Sequence, residues 1–126
     1  MDQTPRDFRK LQVWQRSHGL TRSIDRATQG FPEEGRYGVT SRLRRSSSSI
    51  PATIAEGRGR GTNRELARHM SISQGSAGET DDHLLLAPGL GDRGPKLADE
   101  LAGEAQAIGR MLQGDRTKLK GDQREA

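Results

Sequence analysis

The amino-acid sequence predicts an all-α fold, an antiparallel up-and-down four-helix bundle that forms homo-oligomers. Four segments carry apolar residues at intervals of three and four, the period of a helix packed on one face. Short connections rich in glycine and proline separate them, and no segment has the two-residue alternation of a strand. Helices joined by such connections pack antiparallel. Apolar residues make up only 29% of the chain, so one copy has little surface to bury and we expect self-association.

The first helix is expected to begin with Thr4 or Asp7 as its N-cap and to end near Gly30, which can adopt a left-handed conformation. Trp14 lies on its apolar stripe. Because the chain has few aromatic residues, we expect Trp14 to pack in the core or between subunits rather than to stack on a base. A turn over residues 31–35 follows.

The second helix is predicted from an apolar stripe spaced by four, four, three and four residues: Val39, Leu43, Ser47, Ile50 and Ile54. The spacing places Ser47 on the buried face, and the other three serines of the run 46–49 need not lie there. Pro51 removes a backbone hydrogen bond to residue 47, and a nearby serine hydroxyl could bind the freed carbonyl. The helix is expected to stop by Gly57.

The third helix is predicted to open at Thr62, which forms a capping box with Glu65, and to end at Pro88 and Gly89. The fourth is predicted from about Lys96. The resulting domain organisation is an N-terminal tail over 1–6, a helical bundle over 7–120 and a frayed polar tail over 121–126.

Charge is distributed unevenly along the chain, whose net charge is +4. Residues 1–64 contain 13 Lys and Arg against 6 Asp and Glu, whereas residues 65–126 contain 8 against 11. The basic half indicates an anionic partner, and the two halves together would also suit packing between subunits. The chain has no cysteine, no apolar signal peptide and no stretch that could span a membrane, so we expect a cytoplasmic protein.

Two arginine groups are the candidate nucleic-acid contacts. Arg58, Arg60 and Arg64 alternate with glycines before the third helix, where a pliable backbone and a helix N-terminus both favour a phosphate. A flexible, solvated connection is the alternative interpretation.

The second group is Arg42, Arg44 and Arg45, which flank the core residue Leu43. Contact with phosphates competes here with ion pairing to Glu56 or to another acidic residue. Ion pairing is the preferred interpretation for Arg44 and Arg45, and Arg42 is left open.

Enzymatic motifs are not found, so we predict no catalytic residue, no metal site and no cofactor. The glycines near residue 60 lack the lysine of a nucleotide-binding loop, and residues 75–78 lack the spacing of a nucleophile elbow. His18, His69 and His83 lack the spacing of a helical metal site, and we expect them at the surface or its boundary.

Several segments resemble the bacterial four helix bundle protein family: FRKLQVWQ at 8–15, FPEEGRYGVTSRLRR at 31–45, SIPATIAEG at 49–57, RGT at 60–62 and IGRML at 108–112. This family was first noticed as proteins encoded by intervening sequences within large-subunit ribosomal RNA genes, and was long labelled ribosomal protein S23. It includes relatives of the accessory variability protein of diversity-generating retroelements. The resemblance implies a four-helix bundle and a basic homopentameric barrel that binds nucleic acid and a reverse transcriptase.

The function predicted from the sequence is therefore non-enzymatic binding of RNA or DNA, largely independent of base sequence, through an arginine-rich surface. The alternative is a structural or adaptor bundle that binds a protein partner such as a reverse transcriptase.

Overall fold

The computed structural model describes residues 7–31, 38–87, 89–90 and 96–125, with side chains of the last helix described as far as Gly121. A short 3-10 turn, Phe8–Lys10, precedes four helices: α1 (Gln12–Ala27), α2 (Val39–Gly59), α3 (Asn63–Leu86) and α4 (Leu97–Glu125). No strand occurs among the described residues, which confirms the all-α prediction. The predicted tail 1–6 and most of the predicted turn at 31–35 lie outside them, as does Pro88.

Each helix packs on two others and runs antiparallel to both. The end of α1 meets the start of α2, where Arg44 binds Thr28, and the 3-10 turn before α1 contacts α2. The side chain of Ser73 in α3 binds the carbonyl of Ile50 in α2, and Gln74 binds Gln113 in α4. The fourth seam joins α1 to α4. The contacts therefore close an up-and-down four-helix bundle. No described helix is both long and apolar enough to cross a membrane.

The core lies along the bundle axis and is supplied by all four helices. Its largest fully buried apolar side chains include Ile24, Leu43, Ile50, Ile54, Leu90, Ile108 and Leu112. Trp14 packs at the edge of this core, with the Phe8 ring edge-on at 5.1 Å and the His18 ring stacked at 4.7 Å. One face of its indole is therefore already covered, as a packing role requires.

The start of α1 differs from the predicted one, whereas the glycine predicted to follow its end has the predicted conformation. Asp7 does cap a helical segment, since its carboxylate accepts a hydrogen bond from the amide of Arg9 at 3.1 Å, but that segment is the 3-10 turn. Leu11 has extended backbone angles and separates the turn from α1. At the other end Gly30 has φ +82°, the left-handed conformation predicted for it.

The serine run of α2 is more buried than predicted. Ser47 is fully buried as expected, but Ser46 is also buried, at 6% exposure, and its hydroxyl lies 3.0 Å from that of Thr80 in α3. Ser46 is buried as well because α2 packs against both α1 and α3, which widens its buried face beyond one apolar stripe. Each serine hydroxyl also donates to the carbonyl three residues earlier.

Pro51 lies inside α2, which continues helically to Gly59. The proline lacks the amide that would bind the Ser47 carbonyl. The hydroxyl of Thr21, which lies on α1, is 2.9 Å from this carbonyl and 3.1 Å from the Ser17 carbonyl of its own helix, so its one proton has the Ser47 carbonyl as the nearer acceptor. The sequence indicated that a nearby serine hydroxyl could bind this carbonyl, whereas the hydroxyl that does so belongs to a threonine of the neighbouring helix.

Candidate nucleic-acid interface

The six predicted arginines fall into two groups at opposite ends of the bundle. Arg58, Arg60 and Arg64 lie where α2 leads into α3, and Arg42, Arg44 and Arg45 lie in the first turns of α2. Arg45 and Arg58 are separated by 13 residues of one helix, about 20 Å at 1.5 Å per residue. The two groups therefore cannot form one compact patch in a single copy.

Arg44 has a structural role in the fold. Its guanidinium donates from Nε to the hydroxyl of Thr28 at 2.9 Å and from a terminal nitrogen to the carbonyl of Thr28 at 2.8 Å. Thr28 is the C-cap of α1, so this fork ties the end of α1 to the start of α2. Both of these hydrogen bonds go to a neutral threonine, and the ion pair predicted for Arg44 stays a prediction. Arg42 and Arg45 are exposed on either side.

Residues 57–59 are helical, so most of the segment 57–61 does not form the basic loop that its composition predicts. Gly57, Arg58 and Gly59 form the last turn of α2, and only Gly61 takes a positive φ, +89°. A Cβ on Gly57 would lie 2.5 Å from the Cβ of His69, so this glycine allows α2 and α3 to approach closely. The glycine at 57 therefore serves helix packing.

Arg58 and Arg60, which share this turn, have different surroundings. Arg60 is exposed and binds the Glu56 carboxylate at 2.9 Å, and this hydrogen bond holds the pKa of Glu56 below its usual value. Arg58 is half-buried, and its Nε finds no hydrogen-bond partner among the described residues. It lines a groove of about 380 Å³ that also contains Asp115, whose pKa is raised by burial.

Arg64 is exposed in the first turn of α3, which opens as predicted at Thr62. The Thr62 hydroxyl accepts a hydrogen bond from the Glu65 amide at 3.1 Å, so half of the predicted capping box is present. The Glu65 carboxylate instead lies 3.5 Å from Arg68 and 3.8 Å from the ring of His69.

We call the part of the bundle formed by residues 7–12, 56–71 and 110–121 the basic end. It contains the starts of α1 and α3 and the final turns of α2 and α4. Its described charges are ten Lys and Arg against four Asp and Glu. The opposite end, formed by 22–30, 38–46, 78–90 and 96–104, carries six against seven in its described part. In the folded chain, the described positive charge is therefore concentrated at one end of the bundle, which contains residues from both halves of the sequence.

Sequence reasoning missed the basic side chains that α4 and the second turn of α3 contribute to this end. They are Arg68, Arg110, Arg116, Lys118 and Lys120. All five lie in residues 65–126, where acidic residues outnumber basic ones, so the charge count of the two halves did not reveal them. The signal available was the predicted antiparallel topology, which places the end of α4 beside the start of α3.

The histidines differ in exposure from what the sequence predicted. His69 and His83 are buried, at 3% and 7% exposure, so the prediction of surface or boundary positions is wrong for both, and only His18 is exposed. Nδ1 of His69 lies 2.8 Å from the carbonyl oxygen of Glu65, to which it can donate. No group of three His, Asp or Glu side chains able to hold a metal ion occurs in the described part of the chain.

Comparison with known proteins identifies the family. The family model described as 23S rRNA-intervening sequence protein matches residues 9–114. A search of curated proteins found no match. The family match covers most of the chain and agrees with the motifs and with the four-helix fold, so the chain belongs to the 23S rRNA-intervening sequence protein family.

Proposed function

From its membership of the 23S rRNA-intervening sequence protein family, we propose that this chain is a cytoplasmic, non-enzymatic protein that binds RNA or DNA through its basic end. The observation that carries the proposal is the charge of this end, ten cationic side chains against four acidic ones among the described residues. Arg60 and Arg64 are the predicted contacts that lie exposed there.

The mechanism is electrostatic. Arginines that neutralise phosphates release condensed counterions, which supplies affinity without base recognition. Of the two described aromatic side chains near this end, Phe8 and Trp14 pack against each other, and Trp14 also stacks on His18. Base stacking therefore contributes little, and binding is largely independent of sequence. A homo-oligomer, pentameric by the family resemblance, would repeat the basic end and raise the total affinity.

The test is the salt dependence of binding to a labelled 20-base-pair RNA duplex and to a DNA duplex of the same sequence. The logarithm of the affinity should fall linearly with the logarithm of the salt concentration, by about 0.9 per phosphate contact. The variant Arg60→Gln/Arg64→Gln should bind about fivefold more weakly or worse, with a shallower slope.

The matched control is Arg42→Gln/Arg45→Gln, which removes two exposed arginines from the opposite end. This variant should keep nearly the wild-type affinity. Equal losses in the two variants would remove the basic end from the proposal, and no detectable binding of wild-type protein at 50 mM salt would refute nucleic-acid binding altogether.

The second candidate is an adaptor that binds a protein such as a reverse transcriptase. Exposed apolar side chains on α3 support it, since Ile72, Leu85 and Leu86 are 48%, 75% and 58% exposed. Under this alternative, Leu85→Glu/Leu86→Glu abolishes co-elution with a purified reverse transcriptase, while the arginine variants do not. If the leucine variant co-elutes unchanged, the adaptor candidate loses its support.

A further inference from the structure

A groove of about 350 Å³ runs between the start of α3 and the end of α4, within the basic end. Two cationic side chains line each wall, and small residues complete the lining: Arg64 and Arg68 from α3, Arg116 and Lys120 from α4, with Ala67 and Ser71. Both cationic pairs are spaced i, i+4, so each lies along one face of its helix.

This arrangement is unfavourable for the protein alone. Like charges at i, i+4 destabilise a helix, and here two such pairs also face each other. No carboxylate lines the groove among the side chains that the structure describes. Arg68 is only loosely paired, 3.5 Å from Glu65 and 59% exposed, and Arg116 donates to the neutral amide of Gln113 at 2.7 Å. The described side chains therefore neutralise the positive charge of the groove only in part.

The groove between α1 and α4 shows the opposite pattern. It is larger, about 640 Å³, and its arginines face glutamates across the seam: Arg16, Arg22 and Arg26 against Glu100 and Glu104. Arg16 and Glu104 form a two-point hydrogen-bonded ion pair with distances of 2.6 and 3.0 Å. The described lining of the α1–α4 groove thus includes carboxylates together with its arginines, whereas that of the α3–α4 groove does not.

We propose that the α3–α4 groove binds the phosphodiester backbone of the nucleic acid, with one wall contributed by each helix. This site deepens the proposed function and rests on it. Two residues spaced i, i+4 are about 6 Å apart along the helix axis. One strand of a duplex carries one phosphate charge per about 3.4 Å of its axis, so each cationic pair can span about two phosphate charges. The lining carries guanidinium and ammonium groups without an aromatic ring, which suits phosphates rather than bases.

The test is the double variant Arg116→Gln/Lys120→Gln, assayed by fluorescence anisotropy on the labelled RNA duplex between 50 and 200 mM salt. We expect affinity about tenfold weaker at 100 mM salt and a salt slope shallower by about 2, one for each lost phosphate contact. Arg64→Gln/Arg68→Gln, on the other wall, should show the same loss. The charge-preserving exchange Arg116→Lys/Lys120→Arg should retain most of the affinity.

The matched control is Arg22→Gln/Arg26→Gln, which removes two exposed arginines from the groove that carries glutamates. Helical circular dichroism should be the same in all variants, because the substituted side chains lie at the surface. If wild-type protein binds with a normal salt slope but Arg116→Gln/Lys120→Gln behaves like the control, the groove is not the site and nucleic-acid binding stands. If wild-type protein does not bind at all, both proposals fail.

Discussion

The hydrogen bond from Thr21 to the Ser47 carbonyl makes a quantitative prediction about stability. Pro51 cannot donate to this carbonyl, Ser47 is fully buried, and the Thr21 hydroxyl of α1 lies within hydrogen-bond distance of it at 2.9 Å. Thr21→Val keeps the size and branching of the side chain but removes the hydroxyl. A buried acceptor left without its donor costs about 1–3 kcal/mol, so we expect the free energy of unfolding to fall by about that amount.

The same reasoning predicts that the cost depends on residue 51. In a Pro51→Ala background, the new backbone amide can donate to the Ser47 carbonyl within α2, and Thr21 is no longer needed there. Thr21→Val should then cost about 1 kcal/mol less than in the wild-type background, a coupling typical of groups that share a partner. The effects of Pro51→Ala itself, on packing and on chain entropy, cancel in this comparison.

The measurement is a double-mutant cycle by urea unfolding, followed by circular dichroism at one fixed protein concentration so that self-association does not alter the comparison. Equal costs of Thr21→Val in the two backgrounds, within about 0.3–0.5 kcal/mol, would refute the idea that the threonine replaces the bond lost at the proline. A cost near zero in the wild-type background would refute it as well.

Two further predictions concern single residues. Gly57→Ala should lower the free energy of unfolding, measured in urea, by about 1–3 kcal/mol, because the new Cβ would lie 2.5 Å from the Cβ of His69. Gly75→Ala is the matched control, since a Cβ there has no neighbour within 4 Å. It should stabilise α3 by up to about 1 kcal/mol. Equal effects at the two glycines would contradict the packing role of Gly57. Burial raises the pKa of Asp115 in the folded state, so its charged form opposes folding at neutral pH and this penalty disappears as pH falls below the unfolded value of 3.8. In thermal unfolding, Asp115→Asn should therefore stabilise the protein at pH 7 and have a smaller effect near pH 3. A greater stabilisation at pH 3 than at pH 7 would show that burial does not raise the pKa of Asp115.

Features that depend on neighbours within one helix could be predicted from the sequence. The four apolar stripes predicted the helices, and the cap at Thr62 and the left-handed Gly30 were also recognised. Burial of Ser47 followed from its place in the stripe of α2. These predictions succeed because helical periodicity and capping involve residues a few positions apart, whose geometry is nearly the same in any helix.

Features that join different helices were decided only by the tertiary structure. The sequence could not show that Thr21 binds the Ser47 carbonyl, or that Gly57 permits contact with His69, because both depend on how far each helix is rotated and shifted against its neighbour.

In the candidate site, too, features within one helix could be predicted from the sequence and features between helices could not. Arg64 was recognised from its local motif, but Arg116 and Lys120 come beside it only because α4 runs back along α3 and ends at the same end of the bundle. The positions of the four helices and the net positive charge of residues 1–64 could be predicted from the sequence alone. Antiparallel packing decided which charges share a surface, since residues some 50 positions apart meet only when the helices that carry them are packed together.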